Sequence, residues 1–194
     1  MVSYGSGWAL IVVDVQNDFA DPAGSLYVAG GEQVVPRVNQ EVAAARAAGA
    51  ELVFTTDWHP PQTPHFTSGG GPWPAHCIKH TWGAALHPDL VVDGDILRKG
   101  TGGEDGYSAF AVRDPVSGVD RPTGLAALLR ARNVTRLVVV GLAGDVCVAA
   151  TALDGIAAGF GVTVLRDATA SVNLTAGDEE RAFAQLSAAG VSVR

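Results

Sequence analysis

The stretch Leu137–Leu165, LVVVGLAGDVCVAATALDGIAAGFGVTVL, is the most apolar tract of the chain. Asp145, Asp154 and several glycines interrupt it, which makes it a poor membrane span and a good strand–helix–strand unit. Leu137–Val140 reads as a buried strand, Cys147–Ala158 as a helix and Gly161–Leu165 as a second strand. Upstream, Ala9–Val13 is almost wholly apolar, as a strand covered on both faces must be. Gln33–Ala48 reads as a helix, with Pro36 in its first turn, Val34, Val38 and Val42 on one face and Gly49 as its stop. Leu52–Thr56 is a second strand and Asp95–Arg98 a weaker third. Thr123 caps a helix over Leu125–Arg132 with Leu125, Leu128 and Leu129 on one side. Ala176–Ala189 is a last helix, with Ala182, Phe183 and Leu186 inward, and Val191–Val193 a short final strand.

Short apolar runs alternating with helical patterns imply an α/β fold, a parallel sheet with helices on both faces. No internal repeat or linker divides the chain, so residues 1–194 read as a single domain. The stretch from His59 to Pro88 is the exception to the alternation. It holds six prolines, three consecutive glycines, two tryptophans and all five histidines. A run of that length without regular structure in a compact domain usually carries function. The same holds less strongly for Gly100–Pro122.

Composition narrows the classes. With 47% hydrophobic and 17% charged residues the chain is globular. A net charge of -7 repels phosphate backbones, so nucleic acid is not the expected partner. Two cysteines, Cys77 and Cys147, make no disulfide framework, and a reducing compartment is the simpler reading. The start, MVSYGSGW, lacks the basic and apolar regions of a signal peptide, so the expected location is cytoplasmic and no membrane association is expected.

In open parallel sheets, ligands bind beyond the carboxyl ends of the strands. Asp14, Asp57, Lys99 and Cys147 fall at or just beyond such ends. Each alone is bland: a turn carboxylate, a surface ammonium, a small core thiol. Together at one rim they suggest nucleophilic catalysis. Cys147 opens a helix after a Gly-rich turn, where unpaired N–H groups favour a thiolate, and Lys99 nearby lowers the thiol pKa further. Asp14 takes the thiol proton and passes it to a leaving amine. Backbone N–H groups of the turn hold the oxyanion.

Asp57, His59, His65 and His76 form a second constellation. One carboxylate with imidazoles suits zinc, manganese or iron(II). His80 and His87 lie in the same region, and spacing alone does not say which histidines are ligands. Phe19, Trp73 and Tyr107 have the chemistry of a pocket for a flat ring, though on these residues alone ordinary core or loop packing is the preferred reading.

The segments ALIVVDVQNDF, TTDWHP, PWPAHC, LRKG, GYSAF and GLAGDVCV, in this order, resemble the nicotinamidase/pyrazinamidase family of isochorismatase-like cysteine hydrolases. The resemblance runs from Ala9 to about Ser171. It implies a three-layer, Rossmann-like fold with a mainly parallel six-stranded sheet, and hydrolysis of nicotinamide, a small-molecule amide, to nicotinate and ammonia in NAD salvage through a cysteine thioester. It places Asp14 as base, Lys99 beside it and Cys147 as nucleophile. One divalent metal, zinc, iron or manganese, would be held by Asp57, His59, His65 and His76 and would bind the ring nitrogen. Phe19, Trp73 and Tyr107 would wall the ring. A cis peptide at Leu142–Ala143 would aim the Ala143 N–H, beside that of Cys147, at the oxyanion. The resemblance leaves a homo-oligomer open. Gly144 and Val146 stand where relatives often carry Thr and a larger residue, and the acidic Thr101–Asp105 segment bears on the substrate's substituents. The alternatives are a relative acting on a carbamoyl, ureido or isochorismate-type substrate, and a non-catalytic metal- or partner-binding module.

Overall fold

The computed structural model describes residues 2–194. Its centre is a six-stranded sheet in the order β3-β2-β1-β6-β7-β8, every neighbouring pair parallel. The strands are β1 (Trp8–Val13), β2 (Glu51–Asp57), β3 (Asp95–Lys99), β6 (Arg136–Leu142), β7 (Gly161–Ala170) and β8 (Ser192–Val193). The expected fold class is therefore the one observed. Between β3 and β6 the chain crosses to the other side of β1, so the strand order reverses there. The crevice beyond β1 and β6 is where a fold of this kind binds ligands.

Side-chain alternation along the central strands builds two cores. After the single turn α1 (Asn17–Ala20) comes helix α2 (Gly31–Ala47), whose Val34, Val38 and Val42 pack with Leu10 and Val12 of β1 and Val138, Val140 and Leu142 of β6. Ala9, Ile11 and Val13, with Leu137 and Val139, face the opposite way. There they meet α3 (Leu125–Ala131), α4 (Ala149–Ala157) and α5 (Asp178–Ala188) through Leu125, Leu129, Ala152, Phe183 and Leu186. Period-two strands buried on both faces give three layers.

Several boundaries differ from the sequence reading. Helix α2 starts at Gly31, so Pro36 lies in its second turn rather than its first. Pro36 is exposed, and water can satisfy the carbonyl that loses its helical partner. Gly124, at φ 94, is the N-cap of α3; Thr123 stands one residue earlier, where its hydroxyl accepts from the Leu125 N–H and donates to Ala109 O. The segment expected as irregular between Gly100 and Pro122 contains a small antiparallel hairpin, β4 (Ala111–Arg113) with β5 (Asp120–Pro122). Helix Cys147–Ala158 is split: a π turn covers Gly144–Val148 and α4 follows it.

Two glycines hold the crevice open to function. Gly141, near the end of β6, has φ 108, and a Cβ there would run into the backbone of Val13. The strand ends that carry Asp14 and Ala143 can approach only because the side chain is missing. Beside Gly141 the β6–β7 register shifts, from Val139↔Val164 to Gly141↔Thr169. Gly100, at φ 71, follows β3, and a Cβ there would lie 2.5 Å from His59 Cε1.

Candidate active site and metal centre

The strand ends deliver one buried charge cluster. Asp57 and Lys99 are the last residues of β2 and β3, paired in register, and Asp14 follows β1 with φ 49. Lys99 Nζ lies 2.6 Å from Asp14 Oδ2 and 2.5 Å from Asp57 Oδ1, and it donates to Gly106 O. Cys147 Sγ stands 4.0 Å from Nζ, and one oxygen each of Asp14 and Asp57 lies within 4.8 Å of the sulfur. All four side chains are buried. The Thr55 hydroxyl donates to Asp14 Oδ1 at 2.7 Å and fixes that carboxylate.

Burial drives the electrostatics, and neighbours decide the outcome. Lys99 is held well above the usual ammonium range: burial opposes its charge, but Asp14 and then Asp57 outweigh it. Burial raises the Asp14 carboxyl to about 6, with Lys99 pulling the other way. Asp57 stays below the usual carboxylate range despite burial, chiefly because of Lys99. The expectation of a resting thiolate at Cys147 is corrected. Burial pushes this thiol well above its ordinary range, and Asp14 adds to the effect, against the pull of Lys99. Cys147 sits inside the π turn, behind the protein surface, so the loss of solvent outweighs any gain from the N–H groups around it. The thiol is protonated at rest, and a carboxylate able to take its proton stands beside it.

The second constellation is also assembled. His59, His65 and His76 are buried, and one ring nitrogen of each lies within 4.8 Å of the others. Asp57 Oδ2 lies 3.9 Å from Nε2 of both His59 and His76. His76 Nδ1 faces Pro74 O at 2.7 Å. A carbonyl only accepts, so Nδ1 carries the proton and Nε2 keeps its lone pair for a ligand. His59 has both ring nitrogens buried without any hydrogen-bond partner among the described residues. Burial depresses its pKa to about 4 and also lowers that of His76, so both rings are neutral donors at physiological pH. Each unpaired buried polar group costs about 1–3 kcal/mol. A cluster of three imidazoles beside a carboxylate, one of them with both nitrogens unpartnered, is the donor set of a divalent cation, and the residues fit one. His80 and His87 are not in this cluster.

A pocket of about 390 Å³, counting its mouth, is lined by members of both constellations, Asp57, His65 and His76 with Ala143 and Cys147. Phe19, Trp73 and Tyr107 line it as the sequence suggested, and the Trp73 indole N–H donates to Tyr107 OH at 2.8 Å. The Leu142–Ala143 peptide is cis. The sequence reading singled out Val146 but missed the other members of its aliphatic wall, Leu26, Val28 and Val172. It also missed Gln16, whose amide donates to Asp57 O and Ala84 O and accepts from the Asp57 N–H, each at 2.8 Å. The available signal was a Gln two residues after Asp14, opening the polar run Gln16–Asp18 that follows the apolar first strand.

The isochorismatase domain family model matches residues 8–194. The chain belongs to the isochorismatase family. Within the family, it is 38% identical over 202 residues to a nicotinamidase of Acinetobacter baylyi, across 94% of this chain and 90% of that protein. The crystal structure of a Pyrococcus horikoshii pyrazinamidase in complex with zinc superposes with a TM-score of 0.86 at 39% identity, covering 97% of this chain and 98% of that one. PnC1 from L. infantum in complex with nicotinate gives a TM-score of 0.89 at 39% identity, covering 100% and 95%. Among the described residues, no helix is long and apolar enough to cross a membrane.

Proposed function

We propose that the chain, as a single catalytic domain, hydrolyses nicotinamide, and pyrazinamide as a close analogue, to the carboxylic acid and ammonia. The observation that carries this reading is one pocket lined both by Cys147, which belongs to the Asp14–Lys99–Cys147 cluster, and by Asp57, His65 and His76 of the metal-ligand set. A flat heteroaromatic amide offers such a pocket both a reactive carboxamide and a ring nitrogen. The same donors speak against a family member that acts on carbamoyl or ureido groups, which offers no ring nitrogen to anchor.

Asp14 takes the Cys147 S–H proton as the sulfur attacks the carboxamide carbon. Lys99 holds Asp14 in place and keeps positive charge beside the developing thiolate. The Ala143 and Cys147 N–H groups receive the oxyanion. Asp14 then gives its proton to the departing amine, which leaves as ammonia and a Cys147 thioester. A water attacks the thioester carbon and loses a proton to Asp14. The carboxylic acid forms as the sulfur leaves, Asp14 returns its proton to the sulfur, and the acid gives up its own proton to the solvent. Phe19, Trp73 and Tyr107 enclose the ring and exclude bulk water. Asp57 and the three histidines would hold a divalent ion, zinc, iron or manganese, which would supply a Lewis-acid anchor for the ring nitrogen.

The test is ammonia release from nicotinamide, pyrazinamide and a ureido amide at equal concentrations. A kcat/KM for nicotinamide far above that for the ureido compound supports the reading, and the reverse order replaces it.

A further inference from the structure

We infer that Asp105 is a positioning residue for the metal centre, fixing the His65 ring so that its Nε2 faces the divalent ion. This rests on the metal reading above. Asp105 Oδ1 lies 2.6 Å from His65 Nδ1. A carboxylate accepts and does not donate, so the proton sits on Nδ1 and the lone pair of Nε2 is left for the ion. The three rings differ in what stands behind them. His76 is backed by the neutral carbonyl of Pro74, and His59 by no hydrogen-bond partner among the described residues. Of the three, His65 is the one with a carboxylate at hydrogen-bond distance from its Nδ1, the arrangement that both orients a ligand imidazole and strengthens it as a donor.

Asp105 is itself anchored. Its N–H donates to Arg113 O at 2.8 Å, and it accepts from the Arg113 N–H at 2.9 Å, so strand β4 holds it. The same loop has a second grip on the histidine: the Thr63 hydroxyl donates to Gly103 O at 2.6 Å and accepts from the His65 N–H at 3.1 Å. Ring and backbone of His65 are therefore both tied to the segment between Gly100 and Gly106. Asp105 does not line the pocket. The acidic segment that the sequence reading linked to the substrate's substituents thus acts on a ligand, and the substrate feels it only through the ion.

The experiment compares zinc affinity, by competition with a chromophoric chelator, and the visible spectrum of the cobalt(II)-loaded protein. Asp105→Ala and Asp105→Ser are expected to weaken zinc binding about 10- to 100-fold and to change the cobalt spectrum. Asp105→Asn keeps an acceptor for Nδ1 and recovers most of both. In a His65→Ala background, removing the Asp105 carboxylate has no further effect. Wild-type zinc affinity in the alanine and serine variants, or an equal loss with and without His65, overturns the role of Asp105 alone. A wild-type protein that takes up neither zinc nor cobalt overturns the metal reading and this inference with it.

Discussion

Lys99 Nζ stands 2.5 Å from Asp57 Oδ1, while the other oxygen of that carboxylate lies 3.9 Å from His59 Nε2 and His76 Nε2. Asp57 is thus shared between the catalytic ammonium and the imidazole cluster. The two constellations read separately from the sequence are one electrostatic unit, and their coupling yields the first prediction.

Lys99→Met leaves the Asp14 and Asp57 carboxylates buried without their cation. Breaking such a pair costs about 3–5 kcal/mol. The loss is expected to be larger at pH 8 than at pH 5, since the orphaned carboxylates can be neutralised by protonation at the lower pH. Urea unfolding at the two pH values measures it, and a pH-independent loss would contradict the burial of unpaired charge.

Asp14 sets an acid limb. Its carboxyl is raised by burial to about 6, and only the carboxylate accepts the thiol proton. Turnover is expected to fall as pH drops through about 6. Stability runs the other way for this group. A raised folded-state pKa means its contribution to folding is complete below about 4, the unfolded value, and is lost as pH rises through about 6. Asp14→Asn is expected to fold and to lose at least ~100-fold in rate. A pH–rate profile beside a stability profile separates the two effects.

Cys147 lines the pocket, whereas Cys77 is fully buried and its thiol is likewise pushed up, by burial first and nearby carboxylates next. Iodoacetamide is expected to label Cys147 ahead of Cys77, slowly at neutral pH and faster as the solution is made alkaline. Rapid, pH-independent labelling of Cys147 between pH 6 and 9 would instead mean a preformed thiolate. Peptide mass mapping over a pH series decides.

Gly100→Ala tests how the metal site is supported. The new Cβ meets the His59 ring at 2.5 Å from Cε1 and 2.7 Å from Nδ1, and the φ of 71 is strained for any residue with a Cβ. The variant is expected to lose bound metal, read by plasma mass spectrometry, with a stability cost of about 1–3 kcal/mol. Retention of a full equivalent of metal would show that His59 is not held by this contact.

Much of this was legible in the chain. Doubly buried strands leave apolar runs, so β1, β2 and β6 and the residues at their ends, Asp14, Asp57 and Cys147, could be placed from pattern alone. The identity of the histidine ligands came only from the family resemblance, because proline- and glycine-rich loops have no period to phase their side chains. His80 lies three residues beyond Cys77 and still falls outside the cluster. The thiol's protonation was misjudged because burial depth is a tertiary property: the sequence displays the charge of Lys99 but not the missing water around Cys147. Asp105 reaches His65 across 40 positions through a hairpin whose strands are three residues each, too short to read.

The central claim is that Cys147 carries out amide hydrolysis on nicotinamide. Ammonia release from nicotinamide, followed for the wild type beside Cys147→Ala with folding checked by circular dichroism, tests it most directly. The wild type is expected to yield equimolar ammonia and nicotinate, and the folded variant no turnover above background. A folded Cys147→Ala that still releases ammonia, or a metal-loaded wild type inert towards nicotinamide, would contradict it.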